Sequence, residues 1–483
     1  MKHIFLTLLT ASVFTNFLLA QEIDEVVVTS SFLESSEINN SLYVIEGEDI
    51  TDGATTSLGE AVDSYLGVSI ADYGSAVGQP IIRGMSGPRV KILKNGMVNR
   101  DVSGLGVDHL NDLDLNDVQQ VEIVKGPSSL LYANGTIGGI INVVDNAIAE
   151  VDFAGSEFSA GYETQSVNDG TSQNFNYKDN LNGFNVTFGY QNTELGNYDV
   201  PDEAIIHSEH EGEEEHEEEE LGYVNNSDYM TEATKFGLSK VGDWGYLGFS
   251  VDNLESVYGI PFHGEEHEEP EGGEPHEEER IFSTTDSESF TVKGSLNISG
   301  DLVNSVDFTF RDSDYVLTEA HEEEDHDDPN EPHDEHEPTN FMSSSTEYGA
   351  IFDLSNNDMT QKIVFNVLDE DSSIVGEEAF MNPATSEEFT LGYFMSKDLG
   401  MYNMDFGLRM DQIERSGSVS DNHDGVIEMD YYNIDDTTNS FALTLGRNLS
   451  DNLDINLGFA SVERLPSVIE LFMNGPHLAT GRL

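Results

Sequence analysis

From about residue 153 onward the chain consists of short runs in which apolar and polar residues alternate one for one, separated by Gly, Asn, Asp and Ser. Phe184, Val186, Phe188 and Tyr190 share one face of such a run, with Asn185, Thr187, Gly189 and Gln191 on the other. The same split sets Phe290, Val292, Leu296 and Ile298 opposite Thr291, Lys293, Ser295 and Asn297. Tyr402, Met404, Phe406, Leu408 and Met410 make a third apolar face, and Leu453, Ile455, Leu457 and Phe459 a fourth. A period of two is the signature of β-strands whose faces meet different media. Residues 40–150 read differently, with a short helix over Ser57–Tyr65, Gly-rich turns, and strand-like runs at Val90–Leu93 and Val121–Val124. The pattern predicts a small mixed α/β domain followed by a large all-β region.

Alternation alone fits both a soluble sandwich and a membrane barrel, since each has one wet face and one dry face. The N-terminus, together with the spacing of many such runs over more than 300 residues, favours the barrel. Lys2 and His3 precede an apolar run, Ile4–Leu19, that ends at Ala20 before a polar stretch, which is the three-part pattern of a secretory signal over residues 1–20. Thr7, Thr10, Ser12, Thr15 and Asn16 interrupt the run, so it falls short of the roughly 20 apolar residues of a membrane-spanning helix. No later segment approaches one, so any membrane residence must be as a β-barrel.

Charge and composition narrow the chemistry. With 20 Lys+Arg against 93 Asp+Glu the formal net charge is −73, which sets the chain against nucleic acid and anionic lipid as partners. The absence of cysteine excludes disulfide scaffolds, thiolate metal sites and thiol nucleophiles. The acids are concentrated in three segments, His207–Glu220, His263–Glu279 and His321–Glu337, which hold 28 acids, ten of the 14 histidines, and no Lys or Arg. Such blocks of like charge do not build a core, and each lies between alternating runs, where a barrel carries its long extracellular loops. Carboxylates alone would serve Ca²⁺ or Mg²⁺, whereas imidazole beside carboxylate suits Zn²⁺, with Ni²⁺ and Cu²⁺ as alternatives. The candidate ligands there are His207, His210, His216, His263, His267, His276, His321, His326, His333 and His336. The competing reading is a solvated acidic loop that supplies only surface charge. His263-Gly264-Glu265-Glu266-His267 fits the H-x-x-E-H pattern of some zinc peptidases, which needs a helix. Pro261, Gly264, Pro270, Gly272 and Gly273 do not hold one, so the match is read as chance.

Two segments, IIRGMSGPRVKILKNG (Ile81–Gly96) and VEIVKGPSSLLYANGTIGGIINVV (Val121–Val144), carry a family resemblance: through them the sequence resembles the TonB-dependent outer-membrane receptors. DEVVVTSS (Asp24–Ser31) looks like the TonB box, and ERLPSVIELFMNGPHLAT (Glu463–Thr480) like a barrel segment of the same family. The fold this implies is an all-β transmembrane barrel, 22-stranded in the family and truncated here, with an N-terminal mixed α/β plug domain in its lumen. The chain then divides into a signal peptide at 1–20, a TonB-box segment at 21–39, a plug at 40–150, and an outer-membrane barrel at 151–483 that is incomplete at its C-terminus. Glu25, Val26, Val27, Val28 and Thr29 would add as a strand to the C-terminal domain of TonB, coupled to the inner-membrane energising complex.

Within that family the chain looks most like the zinc-uptake branch, through its His/acid-rich loops, the plug pair Asp108-His109, and Tyr258-Gly259-Ile260-Pro261 ahead of His263. The resemblance implies metal binding by Asp108 and His109. His477 is a second candidate, with an ordinary loop histidine as the competing reading. The implied activity is import of a divalent metal ion, zinc first, by a protein that is no enzyme and needs no catalytic cofactor. The alternatives are a receptor for a metal chelate, such as a siderophore, haem or cobalamin, and a surface metal buffer that does not transport.

Overall fold

The computed structural model describes residues 42–52, 57–106, 108–201, 204, 222–261, 280–298, 300, 302–321, 337–376, 379–423, 426–450 and 453–474. The signal peptide and the TonB-box segment, including Glu25 to Thr29, lie outside them.

The N-terminal part is a small α/β unit. It runs β1 (Leu42–Glu46), α1 (Gly47–Asp52), α2 (Leu58–Val62), β2 (Val68–Tyr73), β3 (Val77–Ile82), β4 (Val90–Lys94), β5 (Met97–Val98), β6 (Val118–Val124) and β7 (Gly139–Asp145). The helix expected at Ser57–Tyr65 is the short α2, started by a capping box in which Ser57 accepts from the Glu60 amide and Glu60 from the Ser57 amide. Five strands form one sheet in the order β1-β6-β7-β4-β5, with β4 and β7 parallel, while β2 and β3 pair separately. Every residue of β7, which lies between β6 and β4 in the sheet, is buried. Val62, Ile82, Val121, Ile123 and Ile141 fill its own apolar core.

Around this unit stands an antiparallel meander of thirteen strands. They are β8 (Glu157–Gln165), β9 (Gly170–Asn180), β10 (Asn185–Leu195), β11 (Tyr229–Gly242), β12 (Gly245–Gly259), β13 (Ile281–Asn297), β14 (Ser305–His321), β15 (Thr339–Asp353), β16 (Thr360–Val375), β17 (Ala384–Asp398), β18 (Asn403–His423), β19 (Val426–Ser450) and β20 (Leu453–Ser461). Each pairs with its neighbour in sequence, and β8 and β20 form the two edges. The sheet is inside out relative to a soluble sandwich. Thr187, Lys235, Ser250, Arg311 and Arg409 are buried against the inner unit, while Phe188, Phe236, Val251 and Leu408 are exposed on the outer face. Polar inward and apolar outward is the arrangement of a wall between lipid and a wet lumen. On the outer face Phe236, Phe249, Phe290, Phe310 and Tyr348 form a row of rings across five adjacent strands, with neighbouring centroids 5.0–6.3 Å apart. A band of this kind suits the level of lipid headgroups. Among the described residues no helix is long and apolar enough to cross a membrane.

Strand direction sorts the connections. Those closing β11–β12 and β17–β18 are tight turns at one end of the wall, whereas those following β10, β12 and β14 lie at the opposite end. The three His/acid-rich segments are those three connections, so the meander brings all three to one end. Of the stretch Glu463–Thr480, the described residues, to Asn474, hold a short helix and no further strand after β20. β20 ends at Ser461, and beyond Pro466 a capping box between Ser467 and Glu470 starts α3 (Val468–Phe472). Its Val468 and Phe472 are buried in the apolar cluster between inner unit and wall.

Candidate metal-binding site

The loop from Asp101 to Asp112 carries the predicted pair Asp108 and His109, and its base is stapled by hydrogen bonds. The Asp101 carboxylate accepts from the amides of Ser103 (3.0 Å) and Asp112 (3.1 Å) and from Asn99 Nδ2 (2.8 Å). Asn99 Nδ2 also donates to the Asp112 carbonyl at 3.0 Å. Burial pushes the Asp101 carboxyl up, and these hydrogen bonds pull against it. The far side of the loop is held by Gln79 of β3, whose Nε2 lies 2.6–2.8 Å from the carbonyls of Ser103, Gly106 and His109. Val102 and Leu110 anchor the loop in the apolar cluster beneath the wall.

Asp108 and His109 are both fully buried, with His109 Nε2 3.7 Å from Asp108 Oδ2. The imidazole meets the ring of Phe341, at the start of β15, edge-on at 5.4 Å between centroids. Two tyrosines and a second carboxylate complete the surroundings. Tyr73 of β2 is pushed up to about 12 by burial first, then by the charges of Asp108 and Glu319. The fully buried Tyr258 phenol of β12 lies in the field of the same two carboxylates. Glu319 and His321 fall on the inward face of β14, in step with buried Tyr315 and Leu317. Leu317, Glu319, Tyr258, Ile281 and Phe341 all lie near the strand ends that carry the His/acid-rich connections, so the buried pair sits at that end too.

The structure thus brings Asp108 and His109 together and sets His321 at the inner rim of the wall. Among the described residues no group of three or more His, Cys, Asp or Glu side chains is close enough to hold a metal ion. His207, His210, His216, His263, His267, His276, His326, His333, His336 and His477 lie outside the described residues. Sequence reasoning missed Glu319, Tyr73 and Gln79, which come to the pair from separate strands. Only Tyr258 had a signal, as the first residue of Tyr-Gly-Ile-Pro ahead of a His-rich segment.

The inner unit is fastened to the wall by buried charge and by main-chain contact. Lys235 of β11 stands 3.3 Å from Asp145 and 3.5 Å from Asp114, and Lys94 2.7 Å from Asp252. Arg409 donates to the Leu130 carbonyl at 3.1 Å, and Ser239 to that of Ala149 at 2.6 Å. At Gly237 the approach is so close that a Cβ would fall 1.7 Å from the Ala147 carbonyl oxygen.

Residues 34–140 match the family model of the TonB-dependent Receptor Plug Domain. Over 175 residues, 34% of this chain and 28% of the relative, the sequence is 27% identical to the Vitamin B12 transporter BtuB of Vibrio vulnificus (strain CMCP6). Among solved structures, the copper transporter OprC superposes with a TM-score of 0.70 at 12% identity, over 89% of this chain and 64% of that one. The Serratia marcescens hemophore receptor HasR, in complex with HasA and heme, superposes at 0.66 and 12% identity, over 90% and 65%. The chain therefore spans 28% of the length of that curated relative and about two-thirds of these structures. At such identities the structural likeness is one of fold, a plug surrounded by an antiparallel barrel wall.

Proposed function

From the premise that the chain carries a TonB-dependent receptor plug domain within a barrel wall of that fold, we propose that it imports a divalent metal ion, zinc foremost, across an outer membrane. The observation that carries this reading is the shared location of two features. The buried Asp108–His109 pair lies at the end of the wall from which all three His/acid-rich connections leave. A carboxylate and an imidazole are the ligand types zinc prefers over the oxygen-only sets of Ca²⁺ and Mg²⁺.

In this reading residues 1–20 direct export, 21–39 present the TonB box, 40–150 form the plug, and 151–483 form the wall. The three loops concentrate metal through many weak, exchangeable sites, and their negative field steers cations inward. Asp108 and His109 then hold the ion at the top of the plug, with His477 as a further candidate ligand. TonB, drawing on Glu25 to Thr29, rearranges the plug and releases the ion. The cargo undergoes no covalent change. The reading is tested by growth and ⁶⁵Zn accumulation in zinc-limited cells with and without the gene. Accumulation of free zinc that depends on the gene supports it. Dependence only when the metal is offered as a siderophore, haem or cobalamin complex replaces it with a chelate receptor.

A further inference from the structure

A string of cavities runs along the seam between plug and wall, beginning beside the buried Asp108–His109 pair. The largest of them, about 180 Å³, is lined by Gln79 and Phe341, both of which also touch His109. A second of about 50 Å³ begins at Arg100, which lines both, and extends to Lys94 and Asp252. A third of about 20 Å³ continues past Lys94 and Asp252 to Asp145 and Lys293. Lys293 lies near the Asn297 end of β13, so the string runs from the metal-pocket end of the wall towards its short turns. A cavity of the first size, with Arg100, Glu347, Glu370 and Glu388 among its lining, has room for several waters.

The junction between the first two cavities is a plug cation set on wall carboxylates. Arg100 Nη1 lies 3.4 Å from Glu370 Oε2, and its Nη2 3.7 Å from Glu347 Oε2. Burial would lower the Arg100 pKa, but Glu370 and Glu347 outweigh it and hold the guanidinium charged. Glu347 is 3% exposed and lines the large cavity, yet its Oε2 accepts no hydrogen bond. Its cationic neighbours Arg100 and Arg311 stand at 3.7 and 3.8 Å, beyond hydrogen-bond range. A buried carboxylate oxygen in that state is costly and offers an open ligand to a cation or a water.

We propose that Glu347 and Glu370 form an onward binding site for the transported divalent cation, which the Arg100 guanidinium occupies as a plug-borne placeholder until the plug moves. The inference rests on the reading of the protein as a metal-ion importer. Because Arg100 belongs to the plug and both carboxylates to the wall, displacing this part of the plug removes one of the two guanidinium groups beside them and leaves the wall's Arg311, 3.8 Å from Glu347, as the other. Two adjacent carboxylates are left facing a hydrated cavity that opens beside the metal pocket. A divalent ion leaving Asp108 and His109 then meets a site of the right sign, built from oxygen ligands weak enough to release it. If Arg100 were only a clamp, removing it would loosen the plug without creating a cation site.

The test is equilibrium binding of zinc chloride to the protein in isolated, non-energised outer membranes. Arg100→Gln should bind one more equivalent of zinc per chain than wild type. Arg100→Lys, which keeps the charge, should bind none, and neither should the triple variant carrying Glu347→Gln and Glu370→Gln as well. No added equivalent in Arg100→Gln, or an added one in Arg100→Lys, overturns the proposal. Glu347→Gln with Glu370→Gln in the presence of Arg100 should retain the wild-type equivalents and lose energised uptake at least tenfold, and uptake within twofold of wild type overturns it. Wild-type protein with no equivalent sensitive to Asp108→Ala and His109→Ala would remove the importer reading and this proposal together. That equivalent present, with none added by Arg100→Gln, removes the proposal alone.

Discussion

His109 of the plug rests edge-on against Phe341 of the wall, 5.4 Å between ring centroids. Phe341 is four residues beyond Glu337, the last residue of the third His/acid-rich segment, so one strand end joins that segment to the buried imidazole. Capture and holding are then separable. Replacing the ten histidines of the three segments with Asn should raise the apparent KM for zinc uptake severalfold and leave the maximal rate near wild type. Initial rates of ⁶⁵Zn uptake across a concentration series measure this; an unchanged KM assigns the segments to surface charge alone.

The loop that presents His109 should also carry a pH signature. Asp112, at its base, is pushed up to about 7, chiefly by burial, from the ordinary 3.8. Between those values the unfolded carboxyl ionises while the buried one keeps its proton. Its contribution to stability is therefore full below about pH 4 and lost as pH rises through 7. Asp112→Asn should match wild type near pH 4 and exceed it at pH 8 by at most about 4 kcal/mol. Thermal midpoints of the detergent-solubilised protein from pH 4 to 8 test the sign.

Lys235 makes a second prediction about the seam. It is 6% exposed and stands between Asp145 and Asp114 of the plug. Burial alone would raise the Asp145 pKa, but Lys235 and Lys94 reverse that and hold the carboxyl below its usual range. Lys235→Ala leaves buried carboxylates short of a cation and should cost about 3–5 kcal/mol. Arg447→Ala, which removes an exposed cation over the Tyr402 ring, should cost less than about 1 kcal/mol. Equal thermal shifts in the two variants would mean that the lumenal charges do not fasten the plug.

Much of the architecture could be read from periodicity. Runs such as Phe184–Tyr190 and Met404–Met410 proved to be wall strands because lipid and lumen impose opposite demands on alternate residues. Burial then separated barrel from sandwich, since Lys235, Arg311 and Arg409 face inward. Asp108 and His109 were legible as adjacent ligand types in one loop. Glu319 was not, because a carboxylate on an alternating strand looks like any other lumenal polar residue until the fold brings it to the pair. Arg100, Glu347 and Glu370 stayed hidden for the same reason, being spread over 270 residues of sequence. Within Glu463–Thr480 the Ser467-x-x-Glu470 pattern is the sequence signal for the short helix Val468–Phe472.

The central claim is that Asp108 and His109 hold the imported ion. Equilibrium zinc binding by the wild-type protein and by Asp108→Ala/His109→Ala, at pH 7.5 and again below pH 6.5, tests it most directly. Wild type should bind one tight equivalent at pH 7.5 that weakens as histidine protonates. The double variant should lose that equivalent by more than the roughly 10–100-fold that loss of an outer-shell partner costs. Tight zinc binding that survives in the double variant, or that stays flat from neutral pH to about 5, would contradict the account.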